Sequence, residues 1–145
     1  MYGVRAGLPV VRAQGGGRIV NIISGIAWAP MSQQSMYAST KAALNMFGLV
    51  LRYELWDEKI RVSSATPGTT ITAIWGDSAP PPGAQTAAQS AHRVLEGVAR
   101  NDRIVMGDDR DLEGSRHVFD ADAAEGMDEY FINVARQRAK GILAL

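Results

Sequence analysis

An α/β fold, a parallel sheet flanked by helices, is predicted for this chain by two observations. Two apolar, β-branched runs at 18–23 and 59–66 flank a long helical segment at 35–56, and glycine or proline punctuates the junctions. Strand, helix, strand is a crossover unit; it makes the two strands parallel and gathers ligand chemistry at their carboxyl ends. The 145 residues, 46% of them hydrophobic, suit one domain with one core, spanning 1–145.

Each element has its own signal. Residues 2–14 read as a helix, apolar at Val4, Leu8 and Val11, with Met1 inside it, and it ends at Gly15-Gly16-Gly17. That triplet follows a helix and precedes a strand, the reverse of a phosphate-binding loop, so it reads as a plain turn. Arg18 to Ile23 is nearly all apolar, the pattern of a strand covered on both faces. After a loop with Trp28 and Pro30, the helix from about Ser35 to Trp56 carries apolar residues almost all round its axis. Two buried surfaces are therefore expected, one against the sheet and one against a partner subunit.

The second strand, 59–66, is halted by Pro67-Gly68. The proline-rich stretch 77–85 is expected to be an irregular, stiff loop and a candidate lid. A helix at about 86–100 follows, striped by Ala91, Val94, Leu95 and Val98, then a short strand at 103–106. The acidic segment 108–113 lacks the spacing of a calcium loop and reads as a solvated turn. An amphipathic helix from about Ala123 to Gly141 uses Met127, Tyr130, Phe131 and Val134.

Composition narrows the function. Fifteen basic residues balance fifteen acidic ones without a basic run, so neither nucleic acid nor an anionic membrane is an expected partner. The absence of cysteine excludes disulfides and thiolate metal sites. No stretch has the roughly 18 apolar residues of a membrane span, and the broken start at 1–11 does not read as a signal peptide. A soluble, cytoplasmic protein is expected.

Tyr37 and Lys41 stand four apart near the start of the long helix, so their side chains share one face. A phenol of pKa about 10 is a poor acid–base at neutral pH, and a neighbouring ammonium favours its charged form. Ser24, at the carboxyl end of the preceding strand, is placed to hydrogen-bond a substrate oxygen as charge develops on it. Trp28 and Trp75 flank the two strand-end loops and are candidates for an apolar substrate pocket. His92 and His117 have no paired ligand, and no metal site is expected.

Taken together, Gly-Arg-Ile-Val-Asn-Ile-Ile-Ser at 17–24, Tyr-Ala-Ser-Thr-Lys at 37–41, the Ile-Arg-Val strand and Pro-Gly-Thr-Thr-Ile-Thr at 67–72 resemble the short-chain dehydrogenase/reductase family. The likeness is specific over about 2–75. It implies a partial Rossmann-like, doubly wound sheet and NAD(P)-dependent interconversion of an alcohol and a carbonyl by hydride transfer. By the same resemblance Tyr37 is the acid/base, Ser24 positions the substrate oxygen, and Lys41 holds the nicotinamide ribose. Pro67, Gly68, Thr70 and Thr72 would embrace the nicotinamide of NAD or NADP. Ile23 replaces a second serine common there, and Thr70 a common valine.

The family's Gly-rich pyrophosphate turn, its NAD/NADP-selecting residue and its relay asparagine have no counterpart in the sequence. The chain therefore reads as the C-terminal catalytic part of such a fold, expected to bind NAD(P) weakly or not at all. A small-molecule alcohol or ketone is the expected substrate, and a homo-oligomer through the first and long helices the expected assembly. The alternative is a non-catalytic pairing module built from the same fold.

Overall fold

A computed structural model describes residues 2–142. Met1 lies outside the described residues. Helix α1 (Tyr2–Ala13) leads through a tight glycine turn into strand β1 (Gly17–Ile22). A single 3-10 turn at Gly25–Ala27 precedes the long helix α2 (Ser35–Glu54), which returns the chain to strand β2 (Ile60–Ala65). The strands β1 and β2 pair in parallel from Gly17 opposite Ile60 to Ile22 opposite Ala65, as a crossover unit requires.

Beyond β2 come β3 (Thr70–Ile71), a 3-10 turn at Ala73–Trp75, β4 (Gln85–Thr86), α3 (Ala87–Ala99) and β5 (Ile104–Val105). The last joins β2 in parallel, giving the order β1-β2-β5, while β3 and β4 form a separate two-residue ladder. Helices α4 (Asp109–His117) and α5 (Ala124–Ala139) complete the described chain. Helix α3 starts in a full capping box: Thr86 accepts from the Gln89 amide, and Gln89 reaches back to the Thr86 amide.

The core lies between β2 and the helices. Leu55, Ile60 and Val62 are buried, and Leu8, Val11, Ile19 and Leu51 pack on them from α1, β1 and α2. Arg52 is buried as well: its guanidinium donates to the Val62 carbonyl at 2.6 Å and the Asn101 carbonyl at 2.7 Å, and it stacks 5.2 Å from the Trp56 ring centroid. The short β5 pairs with β2 only from Ser64 onward, so Arg52 serves the carbonyl of Val62 just before that ladder begins.

Two expectations need correction. The apolar run in β1 is less covered than predicted, with Ile22 49% exposed, because β1 is an edge strand. The Gly17 and Ile23 amides donate to the Lys59 and Ala65 carbonyls, so the intervening even-numbered amides of Arg18, Val20 and Ile22 point away from β2. The second apolar face of α2, expected against a partner subunit, is left open by the described residues, with Met36, Met46, Val50 and Tyr53 exposed. The acidic segment is not a turn but the start of α4, capped by Asp108, whose carboxylate accepts from the Asp111 amide at 2.7 Å.

Candidate functional site

The carboxyl ends of β1 and β2 open into one cleft of about 760 Å³. Ser24 leaves β1 in an extended conformation and its hydroxyl accepts from the Ile26 amide at 3.4 Å, capping the 3-10 turn. Tyr37, in the first turn of α2, faces the same cleft with 48% of its surface exposed. Lys41 sits one helical turn on. Its ammonium donates to the Ile22 carbonyl at 3.0 Å and lies 5.6 Å from the Tyr37 ring centroid. One ammonium thus ties α2 to the strand end two residues before Ser24.

Across the cleft stands the Pro67-Gly68 turn. Gly68 has φ +70°, where a side chain would be strained. The turn is braced by its surroundings: the Pro67 carbonyl accepts from Gln85 Nε2 at 2.9 Å and Ser90 Oγ at 2.6 Å, and the Thr69 amide donates to Asp108 Oδ2 at 2.6 Å. Thr70 and Thr72 do not reach the cleft. The Thr70 hydroxyl donates back to the turn, at 3.2 Å from the Pro67 carbonyl, and Thr72 caps the next 3-10 turn by accepting from the Ile74 amide. Trp75 also turns aside, its indole N–H donating to the Thr70 carbonyl at 2.8 Å, whereas Trp28 lines the cleft.

The loop at 77–85 contributes nothing to this lining; the C-terminal helices do. Met127, Tyr130 and Phe131 of α5 form an apolar wall, the two rings edge to face at 5.2 Å. Arg138, near the end of α5, donates to the Ser32 carbonyl at 3.2 Å and so holds that wall to the loop before α2. From α4 comes Asp111, whose carboxyl burial pushes above the usual carboxylate range, a hydrogen bond from Thr66 opposing and nearby Asp108 reinforcing the shift. Sequence reasoning missed Asp111 and this wall. The Asp108-x-x-Asp111 cap spacing was the signal for α4; nothing local marked Asp111 as facing a cleft.

His92 and His117 are exposed, His92 beside Glu96 at 3.2 Å. Among the described residues no cluster of potential ligands could hold a metal ion. Nor is any helix there long and apolar enough to cross a membrane.

The family profile described as short chain dehydrogenase matches residues 1–82, the part that carries Ser24, Tyr37, Lys41 and the Pro67-Gly68 turn. The chain belongs to this oxidoreductase family. Human 17-beta-hydroxysteroid dehydrogenase type 2 is 44% identical over 71 residues, 49% of this chain but 18% of that enzyme. A Staphylococcus aureus protein known as an uncharacterized oxidoreductase is 34% identical over 74 residues, 32% of its length. Among solved structures, a short chain dehydrogenase from Burkholderia cenocepacia in complex with NADP superposes with a TM-score of 0.74 at 23% identity, covering 85% of this chain and 53% of that one. A Sphingobium yanoikuyae short-chain dehydrogenase in complex with NADPH gives 0.63 at 24%, covering 97% and 51%. The chain thus spans about half of these solved short-chain dehydrogenases, and their likeness establishes its α/β fold with a parallel sheet.

Proposed function

We propose that residues 1–145 form the catalytic, C-terminal portion of a short-chain dehydrogenase that interconverts an alcohol and a carbonyl. One observation carries this reading: Ser24 and Tyr37 open into one cleft while Lys41, near the Tyr37 ring, is anchored to the Ile22 carbonyl at the strand end. In the reducing direction the Tyr37 hydroxyl gives its proton to the substrate oxygen, and in the oxidising direction it takes that proton back. Ser24 Oγ, held at the strand end, donates a hydrogen bond to the same oxygen and stabilises the charge that develops there. NAD or NADP, when bound, supplies or accepts the hydride.

The residues fit the nicotinamide end of that cofactor in part. Among the described residues Lys41 makes one hydrogen bond, leaving two further donors beside a half-exposed phenol, as a ribose diol needs. The Pro67-Gly68 turn offers a shaped wall rather than donors, since its carbonyl and the following amide are engaged within the chain. Among the described residues no glycine-rich turn leads from a strand into a helix to receive the pyrophosphate. Weak binding of NAD(P) by this stretch alone is the consequence, and micromolar binding of NADH in titration calorimetry contradicts it.

The decisive test is turnover. In a protein spanning the whole family fold, Tyr37→Phe lowers kcat by about 100-fold or more, the range for loss of a general acid–base, with the circular dichroism unchanged. An unaltered kcat removes Tyr37 from the reaction. A second reading, a non-catalytic pairing module, draws on the exposed Met36, Met46, Val50 and Tyr53 of α2. Light scattering beside a nicotinamide absorbance assay separates the two, since an inert, stable dimer favours the module.

A further inference from the structure

Asp111 stands apart from the groups that carry the reaction, yet it faces the same cleft. It comes from the first turn of α4, beyond the stretch matched by the family profile. Its position is tightly set. A Cβ built on Gly25 would lie 2.5 Å from Asp111 Oδ1 and 3.5 Å from Oδ2, so the carboxylate is seated directly against the residue after Ser24. Buried Thr66 holds it from behind: the Thr66 oxygen accepts from the Gly107 amide at 2.8 Å, leaving its hydroxyl proton for Asp111. Asp108, by accepting from the Asp111 amide and the Thr69 amide, locks the start of α4 onto the turn after β2.

A carboxylate has about four acceptor positions, and one hydrogen bond from Thr66 does not replace the water that burial removes. The group faces a cleft whose apolar side is formed by Trp28, Met31, Met127, Tyr130 and Phe131, with Arg110 and Glu113 also at its lining. Gly25 directly follows Ser24, and Ser24, Gly25 and Asp111 line the same cleft, so a ligand oxygen held by Ser24 has this carboxylate on its own side of the cleft. Such a half-buried acceptor favours a ligand that brings a donor to it over one that does not.

We propose that Asp111 is the specificity-determining residue of this cleft, accepting a hydrogen bond from a second hydroxyl on the carbon next to the reacting one. The substrate class is then a vicinal hydroxy ketone or diol carried on a bulky, largely apolar ring, which the α5 wall covers. The cleft, at about 760 Å³, has room for a fused ring system. The assignment rests on the oxidoreductase reading for which carbon reacts, but the recognition itself needs no turnover.

The experiment is therefore a binding comparison on this chain, with 2-hydroxy-1-tetralone against 1-tetralone, and acetoin as a small hydroxy ketone. Titration calorimetry, with amide shifts of Gly25 and Gly114 to locate the site, is expected to show the hydroxylated ring bound about tenfold or more tighter than its deoxy analogue, and tighter than acetoin. Asp111→Ala brings the tetralone ratio close to one, Asp111→Asn leaves part of it, and Tyr37→Phe leaves it whole. Equal affinities in the wild-type chain, or no binding of either ring, overturn the proposal whatever the variants do. A retained preference without turnover in the complete protein instead removes the catalytic reading and keeps the recognition site.

Discussion

Replacing Arg52 by methionine tests whether α2 is held to the sheet by a buried guanidinium. Methionine matches the aliphatic stem and keeps helix propensity, so the change isolates the head group. The loss comprises two hydrogen bonds, at 2.6 Å to the Val62 carbonyl and 2.7 Å to the Asn101 carbonyl, and the stacking on Trp56. Hydrogen bonds to a charged group contribute about 1.5–3 kcal/mol each, and the cation–π contact about 1 kcal/mol. Avoided burial of the charge and new apolar packing offset part of this, leaving a net loss of about 3 kcal/mol. With a urea slope of roughly 2 kcal/mol/M, the unfolding midpoint falls by about 1.5 M. Arg52→Lys keeps the charge but not the planar fork, can reach only one carbonyl well, and falls about halfway between. Urea titration followed by circular dichroism reads both. A midpoint shift of less than about 0.3 M for the methionine variant, or a lysine variant as stable as wild type, refutes the argument.

Three other outcomes follow from the same structure. Ile60→Ala, at a side chain with no exposure between α1 and α2, costs about 2–5 kcal/mol in the same titration. Thr86→Ala breaks the capping box of α3 and lowers stability by about 1 kcal/mol, while Thr86→Asn largely restores it. The carboxyl of Asp111 is raised in the folded chain, so the folded state holds its proton to higher pH than the unfolded state; its favourable contribution is full below about pH 3.8 and is lost as pH rises through the folded value. Urea midpoints of wild type minus Asp111→Asn, taken at pH 3.5 and 7, therefore decrease with rising pH, and a difference that increases contradicts the burial argument.

The sheet and its crossover were legible because their signals are local. Isoleucine and valine runs, a twenty-residue helix and the Pro67-Gly68 stop fix the order β1, α2, β2. The short elements were less so. Helix α4 has few apolar residues, and its acidic start, Asp108 to Glu113, reads equally as a turn; only the cap geometry decides. The apolar girth of α2 suggested one face against the sheet and one against a partner; the described residues leave Met36, Met46, Val50 and Tyr53 exposed. Of the candidate site, Ser24, Trp28, Tyr37, Pro67 and Gly68 meet in the cleft, Lys41 braces its floor, and Thr70, Thr72 and Trp75 turn elsewhere. Their directions depend on a small ladder and two 3-10 turns, whose geometry no periodicity announces. Asp111 and the α5 wall lie more than forty residues from Pro67 and come to it through tertiary packing, beyond the reach of spacing rules.

Among the described residues no strand pairs with the outer rail of β1, and this bears on how the strand end before Ser24 is held. Three amides, on Arg18, Val20 and Ile22, face outward on the strand that delivers Ser24, and the Ile22 carbonyl at its end is gripped by Lys41. A strand paired on that rail adds hydrogen bonds to the same stretch whose last carbonyl Lys41 holds. The open edge of the sheet and the head of the long helix thus meet at a single oxygen atom.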